Sequence, residues 1–344
     1  MNNNISLAES NINQDDYFAV LENIKKNISL SQHTVINTAN TERNILYWRI
    51  GKVISEYSAW GSKFVENLSK DLRLEFPAAT GYSVRNLNYM KQFAERIFSE
   101  EILQQVVAKI NWRSITILIN QTKDVEEFVW YAGQCLEQGW SSNVLSHQVE
   151  NGLYGRQVLV EKTTNYKTQL GNPLGELAEE IIKDPYVFDF IPSAAPLLER
   201  DLEDALVSQI TSVLMEFGKG FSFMGRQYPL HVGDKDYFID LLFYNVKLHC
   251  YFVVELKTGD FEPEFAGKLS FYLSAVDGEL KTDIDNPTLG LLLCKNKDKV
   301  VAKYALRDIN KPIGISEYRV SDKTEKSIME NLPTIEEIQN RIHL

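Results

Sequence analysis

The chain holds three cysteines in 344 residues, Cys135, Cys250 and Cys294, and no two of them stand at CxxC spacing. This excludes a disulfide framework and a thiolate zinc cluster, and it points to a reducing compartment. Histidine is almost as sparse. His33, His147, His231, His249 and His343 are scattered, and none pairs with an acid in an HExxH motif, which removes the zinc metalloprotease class. No run of 18 apolar residues occurs, and the polar, Asn-rich stretch from Met1 to Asp15 has no signal-peptide core. A cytoplasmic protein with no membrane span is the expectation.

Positive charge is in deficit too. The chain has 36 Lys and Arg against 47 Asp and Glu, a formal charge of −11, whereas phosphate binding draws on cations that release counterions. Residues 1–165 carry 16 basic and 18 acidic side chains, and 166–344 carry 20 and 29, so neither half is broadly basic. One stretch departs from this. Between Lys295 and Lys311 six basic residues meet only Asp298 and Asp308. That reads as a phosphate-facing patch, with Lys295 and Lys297 as nucleic-acid contacts, or as an ordinary solvated face.

The size allows two domains. From Tyr17 to about Tyr154 apolar positions recur at three and four residues, which predicts an all-α domain over 16–155 after a flexible tail at 1–15. Periodicity is lost at 156–173, a polar stretch read as a linker. A helix from Leu198 to Phe217 then leads into strands over Phe221–Leu230, Asp236–Tyr244 and His249–Leu256. A helix from Pro263, a doubly buried strand Leu289–Cys294, a helix from Lys299 and a strand Gly314–Tyr318 follow. This order predicts an α/β domain with a mixed sheet over 174–322 and a peripheral tail at 323–344.

Two of these apolar strands carry charges inside them, Asp240 in the first and Glu255 and Lys257 at the end of the second. Burying a carboxylate without a partner costs several kcal/mol, so such charges need a metal, an ion pair or a sheet end. Glu255 and Lys257 are two apart and share a face. A hairpin loop Asn245–Leu248 sets Asp240 opposite Val253 on that same face, with Asp240 and Glu255 as diagonal neighbours about 7 Å apart. Two carboxylates and the backbone carbonyl of Leu256 suit Mg²⁺, with Mn²⁺ as a substitute. Such an ion favours phosphodiester hydrolysis, with Lys257 orienting water or neutralising the phosphate.

The arrangement Asp240…Glu255-Leu256-Lys257 resembles the PD-(D/E)xK nuclease superfamily, although Ile239 stands where its first proline would be. The surrounding segments Gly225-Arg226-Gln227, Ile239–Tyr244, Val254–Lys257, Gly267–Leu273 and Asp285–Thr288 are similar to the YhcG family of nucleases. The N-terminal segments Tyr47–Gly51, Trp60-Gly61, Phe76-Pro77 and Tyr82–Leu87 resemble that family's helical domain. The resemblance implies a restriction-endonuclease-like PD-(D/E)xK core and places Glu203 as the acid contributed by the preceding helix. The substrate is not implied.

Further candidates follow from position. Gln227 lies in a strand near the site, where it could contact substrate or a carboxylate. Lys268 and Tyr272 share a helix face that could meet a phosphate. In the N-terminal half, Lys63–Glu75 and Ser83–Phe98 have the look of a helix-turn-helix whose second helix shows Arg85, Asn88 and Gln92, side chains that read base edges in DNA. The leading reading is a Mg²⁺-dependent DNA endonuclease, which could act as a homo-oligomer or with other DNA-processing proteins. A catalytically silent nucleic-acid-binding or scaffold protein and an RNA-directed nuclease are the alternatives.

Overall fold

The computed structural model describes residues 14–57, 63–192 and 198–321. Most of the predicted terminal tails, and Trp60-Gly61, lie outside the described residues. The chain divides into two compact units between Ser146 and His147.

The first unit is helical: α1 (Gln14–Glu56), α2 (Phe64–Glu75), α3 (Val84–Arg96), α4 (Glu100–Gln105), α5 (Trp112–Gln121), α6 (Val125–Gln138) and the start of α7 (Ser142–Glu150). Its helix starts are set by side chains that accept free amides, as Ser83 does from Asn86 and Asp124 from Glu127. The core centres on α3, whose Leu87, Met90, Phe93 and Ala94 are buried. Helix α1 packs closely on α3 because Gly51 has no side chain; a Cβ there would lie 1.9 Å from the Met90 carbonyl oxygen. Trp48 is buried, while Trp112, Trp130 and Trp140 are half-buried. No described helix is long and apolar enough to cross a membrane.

The second unit holds β1 (Thr163–Thr164), α8 (Tyr166–Leu170), α9 (Leu174–Ile181), β2 (Tyr186–Pro192), α10 (Glu199–Ser208), α11 (Ile210–Phe217), β3 (Phe221–Val232), β4 (Lys235–Asn245), β5 (Cys250–Leu256), α12 (Pro263–Glu279), β6 (Leu289–Cys294), α13 (Lys299–Arg307) and β7 (Ile313–Ser321). The sheet order is β1-β7-β6-β5-β4-β3, with β2 also on β7. Strands β3, β4 and β5 pair antiparallel, and β5, β6 and β7 parallel, so the sheet is mixed.

Alternation along each strand feeds two cores. Leu241, Phe243, Phe252, Val254 and Leu256 pack with Leu202 and Leu206 of α10 and with Val213 and Phe217 of α11. On the other face Leu242, Val253 and Leu292 pack with Leu269, Leu273 and Val276 of α12. Helices thus cover both faces of an α/β unit.

Two expectations need correction here. The stretch 156–173 is no linker: it forms a π-helical turn (Gly155–Leu159), β1 and α8 within the second unit. Its polar residues serve the sheet. Asn165 donates to the carbonyls of Ile309 and Lys311 and accepts from the Ile313 amide. The helix expected over Leu198–Phe217 breaks at Gln209 into α10 and α11.

Candidate active site

The charged triad sits where β4 and β5 part. Their ladder runs from Asn245↔Cys250 to Leu241↔Val254, so the next positions, Asp240 and Glu255, stand across from each other. The expected register, with Asp240 facing Val253, is therefore wrong by two residues. Asn245 explains the shift. Its Oδ1 accepts from the Lys247 and Leu248 amides at 3.0 Å each, which moves the turn to Val246–His249. A shift of two keeps the parity, so Asp240, Glu255 and Lys257 still share a face.

Glu255 is 0% exposed. Its Oε1 takes two ammonium groups, Lys268 at 2.5 Å and Lys257 at 3.1 Å, while the buried Oε2 has no hydrogen-bond partner among the described residues. Asp240 is arranged likewise. Its Oδ2 accepts from the Leu256 amide at 2.9 Å, and among the described residues Oδ1 meets only a long 3.4 Å contact from Gln227. Burial, and then the neighbouring Glu255 charge, push the Asp240 carboxyl up to about 6, against the pull of the Leu256 amide and the two lysines.

Gln227 lies opposite Asp240 on β3 in the left-handed region, φ 41°. A non-glycine residue held there costs on the order of 1 kcal/mol, and such strain tends to gather at functional sites. Its amide also donates to Glu203 Oε2 at 2.7 Å. Glu203, expected from resemblance as the helical acid, is buried on α10 and reaches the site through Gln227. One turn earlier, Glu199 Oε2 lies 3.0 Å from Lys257 Nζ. The sequence does not single out Glu199 among the acids Glu199, Asp201, Glu203 and Asp204, because only the placement of α10 distinguishes it.

The other candidates divide. Lys268 is brought to Glu255 and stands over the Tyr272 ring at 5.3 Å. Tyr272 itself is 4% exposed, so it packs in the core instead of meeting nucleic acid. Lys297 is also corrected. Its side chain is 1% exposed and spent on Asp184 and the Ile315 carbonyl, an ion pair that no phosphate can reach. Lys295 is exposed at the end of β6.

Arg85, Asn88 and Gln92 are exposed along one side of α3. Arg85 lies over Tyr89 at 5.7 Å, and the Tyr89 hydroxyl accepts from Asn120 at 3.1 Å. The eight residues from Phe76 to Ser83 between α2 and α3 are about twice the turn of a compact helix-turn-helix.

No group of three or more His, Cys, Asp or Glu side chains is placed to hold a metal among the described residues. The available donors are the free oxygens of Asp240 and Glu255 and the carbonyl of Leu256. A buried, unpartnered carboxylate oxygen fits a hard cation that keeps several waters. Counted formally, Glu199, Glu203, Asp240 and Glu255 against Lys257 and Lys268 leave two negative charges, which a divalent ion balances.

Residues 179–333 match the family model described as YhcG PDDEXK nuclease domain, and residues 23–156 match the DUF1016 N-terminal domain. The chain is 27% identical to "Putative nuclease YhcG" of Escherichia coli (strain K12), over 86% of this chain and 88% of that one. Among solved structures, a repair endonuclease from Pyrococcus abyssi is similar at 16% identity and TM-score 0.26, over 38% of this chain and 50% of that one. EndoMS in its dsDNA2 complex is similar at 17% and 0.26, over 38% and 49%. The matched segment spans about half of each of those chains. With a YhcG PDDEXK nuclease domain match over most of its mixed-sheet unit and a DUF1016 N-terminal domain match before it, this chain resembles the putative nuclease YhcG along most of its length.

Proposed function

We infer that the chain is a metal-dependent endonuclease that hydrolyses phosphodiester bonds in DNA. The observation that carries this reading is the pair of facing carboxylates, each with one oxygen tied down and one left without a close partner. Asp240, Glu255 and the Leu256 carbonyl would hold Mg²⁺ or Mn²⁺. Bound there, the ion would supply Lewis-acid stabilisation of the phosphodiester and acidify a water.

The protein's own groups do the rest. Lys257 offers a fixed positive charge to the oxygens on which negative charge grows. Lys268 neutralises the buried side of Glu255, and the Glu203–Gln227 contact steadies Asp240. DNA is favoured over RNA by the exposed Arg85, Asn88 and Gln92 on α3, the side-chain types that read the major groove.

The test is a Mg²⁺-dependent cleavage panel over plasmid, linear duplex, junction, single-stranded DNA and RNA, run beside Asp240→Ala and Lys257→Ala. Wild type should cut DNA and stop on chelation, and neither variant should cut. Equal cutting by wild type and Asp240→Ala would refute the assignment.

A further inference from the structure

Helix α10 presents two carboxylates one turn apart, and they serve different halves of the site. Glu203 reaches towards Asp240 through Gln227. Glu199 reaches Lys257. An ammonium has three hydrogens, and Lys257 Nζ has three acceptors: the Leu256 carbonyl at 2.9 Å, Glu199 Oε2 at 3.0 Å and Glu255 Oε1 at 3.1 Å. Two of these come from the residues just before Lys257 on its own strand. Partners so close in sequence leave a long, flexible side chain free to swing about the strand end. Glu199 pulls from a different element, 58 positions earlier, and so fixes the direction in which the ammonium points.

The helix is itself held. Leu202 and Leu206 anchor α10 in the core, and Asp201 accepts from the Leu198 amide at 3.2 Å where the helix starts. The Phe265 ring, 5.3 Å from Nζ, closes another side. Glu199 remains 49% exposed, so it is not a structural core pair in the manner of Lys297 and Asp184.

We propose that Glu199 is a positioning residue for Lys257, holding its ammonium towards the reacting phosphate from outside the D…ExK motif. The proposal rests on the nuclease reading of the site for its kinetic consequence, but the contact can be tested without it. Outer partners that orient metal ligands cost about 10- to 100-fold when lost, and a loss of the same order is expected for the partner that orients Lys257.

The experiment has two arms on the full chain, with wild type, Glu199→Gln and Glu199→Ala. In the first, metal-free protein is treated with an amine-acylating reagent, and labelling of Lys257 is followed by peptide mass spectrometry with Lys295 as internal reference. Lys257 should label several-fold faster in Glu199→Ala than in wild type, and Glu199→Gln, which keeps an acceptor oxygen, should fall between. In the second, Mg²⁺-dependent cleavage should show kcat reduced at least tenfold in Glu199→Ala with KM within about twofold, and partial recovery in Glu199→Gln. Unchanged labelling overturns the contact itself. Faster labelling with wild-type kcat, or a change confined to KM, overturns the positioning role. Wild-type protein that cuts nothing while the labelling result holds refutes the nuclease reading and leaves the Glu199 contact standing.

Discussion

The backbone amide of Leu256 donates to the Asp240 carboxylate, N to Oδ2 at 2.9 Å, just past the last paired position of the β4–β5 ladder. A side chain here takes the place of a strand carbonyl. The hydrogen bond holds the carboxylate in the gap where the strands separate and leaves its other oxygen turned to the site.

That placement costs stability. Asp240 is raised from 3.8 to about 6 in the folded chain, so as pH rises the unfolded chain ionises first. Its contribution to stability therefore declines between about pH 4 and pH 6 and stays low above. Asp240→Asn should remove the penalty, stabilising the chelator-treated protein at pH 7 by on the order of 2 kcal/mol, with the gain vanishing near pH 4. Thermal melts of both proteins in EDTA across that range check this. The same variant should lose any stabilisation by Mg²⁺, so that added metal no longer raises its Tm.

Lys268 should show the opposite metal dependence. It supplies one of two cations on the buried Glu255 oxygen but is itself half-exposed, so solvent screens part of the interaction. Lys268→Ala should destabilise the metal-free protein by about 1–2 kcal/mol, below the cost of stripping a fully buried pair. Saturating Mg²⁺ should recover much of that loss by giving Glu255 a new counter-charge. Denaturant titrations with and without metal separate this from simple loss of packing, which metal would not repair.

Much of this was legible in the sequence, for identifiable reasons. Ionisable residues inside the apolar runs around Asp240 and Glu255 signal a site through the cost of burying charge, and period-two alternation keeps their shared face under any register shift of an even number of residues. The register itself was not legible, because the two amides that Asn245 accepts decide where the turn begins. Nor was the fate of Lys297, whose partner Asp184 lies 113 positions away. Polarity misread 156–173 as linker, since the groups that Asn165 satisfies belong to the distant segment around Ile313.

Lys297 now carries a prediction about folding in place of one about DNA. Removing one partner of a buried ion pair leaves the other charge stranded, so Lys297→Ala should cost about 3–5 kcal/mol. Lys295→Ala, at an exposed position, should stay within about 0.5 kcal/mol of wild type. Urea unfolding of both variants decides the matter. A Lys297 variant of wild-type stability but weakened DNA binding would restore a phosphate-binding role for this side chain.

The α3 face makes a separate prediction. Arg96 is spent on the Thr122 carbonyl at 3.2 Å, whereas Arg85, Asn88 and Gln92 are exposed. Replacing these three by alanine should leave stability within about 0.5 kcal/mol per site, because none of them holds the core. If the face reads DNA, affinity should fall by about 1–3 kcal/mol for each side chain that hydrogen-bonds a base edge, and discrimination between sequences should narrow. If Arg85 meets only phosphate, binding should weaken evenly across sequences and the salt slope should drop by about one. Fluorescence anisotropy at several salt concentrations, on catalytically disabled Asp240→Ala protein, distinguishes the two. An unchanged affinity in the triple variant would assign DNA binding elsewhere in the chain.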